Sequence, residues 1–203
     1  MDTGYHIPSA SLMVETSIKK SQFITHIGHA TSRFEAEAMI RALRLQHPQA
    51  THVCWAYIAG APNTTVMSMS DDGEPSGTAG RPMLNALQHS GLGEIVVAIV
   101  RYFGGTKLGT GGLQRAYSGC VKDALAILTT HEKVAQQPFK LQSPYALEAM
   151  IRHLIDHHHA MLLQCNYDQA LQLEGTIALA NYELFKAELI NRSSGVIQVV
   201  CTD

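Results

Sequence analysis

The sequence predicts an α+β chain of two domains, an N-terminal α/β domain over residues 1–130 and a C-terminal βαββαβ domain over residues 131–203. Three observations carry that prediction. The apolar, β-branched run Ile95–Val100 reads as a buried strand, and a glycine-dense turn leads from it into a stretch with helical apolar spacing. The character then changes, because Thr129-Thr130-His131-Glu132-Lys133 is polar and Gln136-Gln137-Pro138 is a weak breaker. Beyond it the elements follow the order β-α-β-β-α-β, the split βαβ arrangement.

Taken in order, Leu12–Ile18 and Gln22–Gly28 read as strands joined by a turn at Lys19-Lys20. Ser32 with Glu35 forms a capping box, and Phe34, Ala38, Met39, Ala42 and Leu43 give the apolar face of a helix that His47-Pro48 ends. Val53–Ala59 is another strand, with Val66–Ser70 its hairpin partner across Gly60-Ala61-Pro62-Asn63. Within Ser70–Leu84 a turn leads into a short helix that tolerates Pro82 in its first turn. After Ile95–Val100, Leu113, Ala116, Cys120, Val121, Ala124, Leu125 and Leu128 recur on one face of a long helix.

In the second half, Phe139–Gln142 is a strand, and Pro144 starts a helix with the stripe Leu147, Met150, Ile151, Leu154 and Ile155. Ala160–Tyr167 and Ala170–Leu179 pair around Asp168-Gln169. Asn181 caps a helix reaching about Asn191, and Val196–Cys201 is the last strand.

Composition narrows the function classes. A formal charge of −2 argues against nucleic-acid binding through bulk charge and leaves room for a local basic face. No apolar stretch approaches bilayer length, and the N-terminus lacks a basic-then-apolar signal pattern, so the expectation is a cytoplasmic protein without membrane contact. Cys54, Cys120, Cys165 and Cys201 are widely spaced with no CxxC pair, which disfavours structural zinc and thioredoxin-like chemistry.

Two stretches stand out as candidate sites. In the first, a strand, a glycine turn and a helix start meet, offering free backbone N–H groups and a positive helix end to an anion. Its residues are Arg101, Gly104, Gly105, Lys107, Gly109, Gly111, Gly112 and Arg115. The phosphate motifs GxxxxGK[ST] and GxGxxG are both absent, and an architectural role, with the glycines supplying φ > 0 and close packing, stands beside the ligand reading. The second is Asp71-Asp72-Gly73-Glu74 with Arg81. Its acids suit a divalent cation, but their spacing is not that of an EF-hand, and a turn leading into a helix is the favoured reading.

Other constellations carry less. His153, Asp156, His157, His158 and His159 crowd a helix end, and His153 with His157 share a face. HExxH is absent and further ligands are missing, so the expectation is no metal and no cofactor. Cys120 reads as core packing and His52 as a strand-end histidine, leaving no catalytic residue set.

The motifs Lys19-Lys20-Ser21-x-Phe23-Ile24, Ser70-Asp71-Asp72-Gly73-Glu74-Pro75-x-Gly77-Thr78-Ala79-Gly80-x-Pro82-Met83-Leu84 and Arg101-Tyr102-Phe103-Gly104-Gly105-x-x-Leu108-Gly109-x-Gly111-Gly112-Leu113-x-x-Ala116-Tyr117 resemble the signature of the YigZ/IMPACT family, nearest to its bacterial type. The resemblance runs over essentially the whole chain. It implies an N-terminal domain shaped like domain IV of the translocation elongation factor and a ferredoxin-like C-terminal domain similar to domain V of that factor. For the bacterial members it implies no established reaction and no agreed catalytic residues. The two ribosome-facing folds and the lack of a catalytic set favour, by analogy of fold, a non-enzymatic role in contact with RNA, the ribosome or a translation protein, with regulation of translation as its purpose. The alternative is an enzyme of phosphorylated small molecules or nucleotides, using the glycine turn and the Asp71/Asp72/Glu74 loop. No oligomeric state is implied.

Overall fold

The computed structural model describes residues 4–201. The unit Tyr5–Lys133 contains β1 (Tyr5–Pro8), β2 (Leu12–Ile18), β3 (Ser21–His29), α1 (Arg33–Gln46), β4 (His52–Ile58), β5 (Met67–Ser70), α2 (Gly80–Ser90), β6 (Ile95–Tyr102), α3 (Thr110–Ile127) and β7 (Thr130–Lys133). Its main sheet has the order β2-β3-β6-β4-β5, every neighbouring pair antiparallel. β6 lies at the centre and is covered on both faces. Ile95, Val97 and Ile99 join the cluster built with α2 and α3, while Val96, Ala98 and Val100 join the cluster built with α1. That double burial explains why the run is continuously apolar where a half-buried strand would alternate.

On α3, Leu113, Ala116, Cys120, Val121 and Ala124 are buried as their spacing predicts, together with Tyr117. α1 starts where the capping signal places it, since Ser32 Oγ accepts from the Glu35 N–H at 3.3 Å. The return contact of the box is displaced by one residue: the Glu35 carboxylate accepts from the N–H and hydroxyl of Thr31 at 2.7 and 2.9 Å. The buried face of α1 is Ala36, Ile40 and Leu43, whereas Phe34 is 75% exposed. Of the predicted stripe, Leu43 is buried and Met39 packs part-buried against the same cluster, while Phe34 and Ala42 face solvent and Ala36 and Ile40 take the contact instead.

β1 and β7 have no counterpart in the sequence reading. They pair antiparallel, Tyr5 opposite Lys133, so the polar stretch after Leu128 is a strand that carries the first unit to Lys133. Buried Glu94 holds the junction, accepting from the Tyr5 hydroxyl at 2.8 Å and the Lys133 ammonium at 2.5 Å and contacting His29 Nε2 at 2.8 Å.

The second unit, from Val134 onward, contains β8 (Gln136–Ser143), a 3-10 turn (Tyr145–Leu147), α4 (Glu148–His157), β9 (Met161–Tyr167), β10 (Leu171–Ala178), α5 (Leu179–Arg192) and β11 (Gln198–Cys201). The antiparallel order β11-β8-β10-β9 is that of a ferredoxin-like sheet. Phe139, Leu141, Leu171, Leu173 and Ile177 pack on Ile151, Leu154 and Ile155 of α4 and on Tyr182, Phe185 and Leu189 of α5. α5 begins two residues before Asn181, with Ala178 at its N-cap, so Asn181 lies inside the helix and caps nothing. The Cys201 side chain lies outside the described residues. Among the described residues no helix is long and apolar enough to cross a membrane.

Candidate functional site

The two unusual stretches of the first unit meet at one end of the sheet. The glycine turn leaves the end of β6, and the acid loop leaves β5 to run along the start of β4. Each acid of the loop is engaged separately. The Asp71 carboxylate accepts from the N–H groups of Gly77, Ala79 and Gly80 at 2.8, 2.9 and 2.8 Å, and so caps α2, whose N-cap residue offers no side-chain bond. Asp72 accepts from Val53 N–H at 2.7 Å and from Arg44 at 2.6 Å. Glu74, 7% exposed, accepts from Arg101 and from the Tyr117 hydroxyl at 2.8 Å, with His52 Nε2 at 3.9 Å. These carboxylates do not converge as a ligand set among the described residues.

Arg101 is 4% exposed and neutralised by Glu74. Its guanidinium lies over the rings of Phe23 and Phe103, at 5.3 and 5.6 Å, and donates to Ser21 Oγ at 3.3 Å. It is thus a buried strut, not the open cation that its place beside the turn suggested. Behind it, the Cys54 thiol donates to the Tyr117 hydroxyl at 3.3 Å. Burial pushes Cys54 up to about 12 and Cys120 up to about 11, so neither is a thiolate at neutral pH.

The glycines divide by physical role. A Cβ on Gly104 would stand 1.9 Å from the backbone oxygen of Lys20, so this position requires glycine for close approach. Gly105 and Gly109 have φ of +82° and +72° and nothing within 4 Å of an added Cβ, so they supply conformation. Gly111 and Gly112 sit in the first turn of α3 outside the positive-φ set, which corrects the expectation that Gly111 supplies φ > 0.

The exposed cations separate around the α3 N-terminus. Lys107 lines a cavity of about 460 Å³ with His52, Glu74, Arg101 and Gly109. Arg115 lines a different one, a groove of about 580 Å³ between α2 and α3, with Arg81, His89, Gln114, Ser118 and Lys122. No carboxylate is among the groove's lining residues. Lys122 and His89 were not singled out from sequence. The signal for Lys122 was present, since Gly111, Arg115, Ser118 and Lys122 fall on one face of α3 at helical spacing.

Asp71 sets an acid limit on this region. Burial raises its pKa, but the three backbone donors outweigh that effect, and the group titrates below the usual carboxylate range. A depressed folded-state pKa contributes stability that is present above the unfolded value and lost as pH falls through the folded one. Asp71→Asn is expected to flatten the unfolding free energy across that acid window, read from urea melts at successive pH values.

Comparison with known proteins places these features in a family. The model of the Impact N-terminal domain matches residues 19–125. An IMPACT family member of Haemophilus influenzae is 41% identical over 97% of both chains, and the IMPACT family member YigZ of Escherichia coli is 40% identical over 97% of both. A crystal structure of a hypothetical protein, 38% identical, superposes with a TM-score of 0.71 over 100% of this chain and 99% of that one.

Proposed function

The chain belongs to the IMPACT family, and from that premise we propose that it is a non-enzymatic, translation-associated protein whose first unit binds RNA in the groove between α2 and α3. The observation that carries this reading is the groove's charge. Arg81, Arg115 and Lys122 line it with His89 and no acid, although the chain as a whole is at −2. Cations spaced along two neighbouring helices suit the regular charge of a phosphodiester backbone. The resemblance of both domains to ribosome-facing elongation-factor domains supports translation as the setting, as an analogy of fold. The enzyme reading is weaker because Asp71, Asp72 and Glu74 are occupied by backbone amides, Arg44 and Arg101.

The test is co-sedimentation with ribosomes, and binding of a labelled RNA hairpin, at low and physiological salt. Arg81→Glu with Arg115→Glu is expected to weaken binding at least roughly tenfold and to flatten the salt slope by about one unit per lost phosphate contact, with melting unchanged. Lys107→Glu, in the separate cavity, is expected to have the smaller effect. Unaltered binding in the double variant, or no binding by the wild type at low salt, defeats the groove reading. A larger loss with Lys107→Glu moves the contact to the glycine turn.

A further inference from the structure

We propose that His157, His158 and Glu188 form a site for a divalent transition-metal ion of the zinc class, joining the C-terminal end of α4 to α5. The sequence argued against a metal because His153 and His157 lacked further ligands. The fold supplies one from another helix, and it selects a different histidine pair. One ligand atom from each of His157, His158 and Glu188 lies within 4.8 Å of the others, the only such group among the described residues.

A second observation points to a ligand. His158 is 6% exposed, and its Nε2 has no hydrogen-bond partner among the described residues; the buried Oε2 of Glu188 has none either. A buried imidazole nitrogen and a buried carboxylate oxygen left in this state cost free energy unless something sits between them. They stand 3.5 Å apart, long for a hydrogen bond. Two ligand atoms on one tetrahedral zinc, each about 2.0–2.2 Å from the ion, stand roughly 3.3–3.6 Å apart. The rings of His157 and His158 meet edge to face at 5.0 Å, and His158 packs against Phe185 at 5.6 Å, which fixes its orientation. Arg192, whose side chain is about half exposed, approaches the same Glu188 oxygen at 3.8 Å and is the competing cation.

Imidazole with carboxylate suits zinc and its neighbours better than calcium or magnesium. Such a three-residue set leaves the fourth position to water. Because the ligands come from two helices, an ion here stabilises the folded unit through linkage.

The experiment uses the full chain without an affinity tag, stripped with chelator and titrated with Zn²⁺ by calorimetry and with Co²⁺ by visible absorption. The expected result is one ion per chain, a cobalt spectrum of tetrahedral or five-coordinate type, and a raised melting temperature that chelator reverses. Glu188→Ala and His157→Ala are each expected to lower affinity by roughly tenfold or more, while His153→Ala leaves it unchanged. These variants avoid the buried His158, whose loss could unfold the unit. No stoichiometric metal means His158 and Glu188 are a plain ion pair and overturns the proposal. So does affinity that survives Glu188→Ala, or that is lost with His153→Ala, since either places the ion on exposed histidines.

Discussion

Glu74→Gln is expected to destabilise the first unit by about 3–5 kcal/mol, because it leaves the Arg101 charge buried without its partner. The substitution keeps the shape and retains an oxygen for the Tyr117 hydroxyl, so the loss isolates the ion pair. Trp55, the single tryptophan, lies on β4 of the same unit, and its fluorescence in a urea titration reports this unit's unfolding. Adding Arg101→Met is expected to recover more than half of the loss, since a buried pair is replaceable by apolar side chains at little cost. A loss below about 1 kcal/mol for Glu74→Gln is the behaviour of an exposed pair and contradicts the burial described above.

The second large effect is at Gly104. An added methyl group would collide with backbone atoms of Lys20 and Ser21, at 1.9 to 2.4 Å, and no side-chain rotation relieves that. Gly104→Ala is therefore expected to cost more than about 4 kcal/mol, enough to unfold a marginal domain. Gly105→Ala meets no atom within 4 Å and suffers only its positive φ, about 1–2 kcal/mol. Gly111→Ala, in the helix, is expected to be neutral or to stabilise by about 0.5–1 kcal/mol. The melting temperatures should rank accordingly. If Gly104→Ala and Gly105→Ala melt alike, the close approach of the turn to Lys20 is wrong. The three variants together separate contact from conformation within one turn.

What the sequence by itself determined were the features that short-range chemistry controls. The spacing of Leu113, Ala116, Cys120 and Ala124 determines which face of α3 is buried, because 3.6 residues per turn admits one apolar side. The unbroken run Ile95–Val100 requires a strand covered on both faces, and the structure places it at the sheet's centre. Ser32 and Glu35 mark a helix start through bonds that reach no further than one turn. Alternating elements after Gln136 give the βαββαβ order.

Tertiary structure alone decided the pairings. Arg101 and Glu74 are 27 residues apart, and only the alignment of β6 with the loop after β5 turns an apparently open cation into a buried strut. Arg81 and Arg115 read as members of two separate motifs until α2 and α3 pack side by side and make them neighbours in one groove. Phe34 fits a helical stripe as well as Ile40 does, yet the contact with the sheet buries one and leaves the other in solvent. The β1–β7 pair joins the two ends of a unit through four-residue strands, β7 wholly exposed and polar, too short for a local periodicity to announce it. Glu188 reaches His158 from another helix, so no spacing rule within α4 could include it. Local periodicity governs which face a segment hides; register and packing choose the residue it meets there, and charge acquires a role only after that choice.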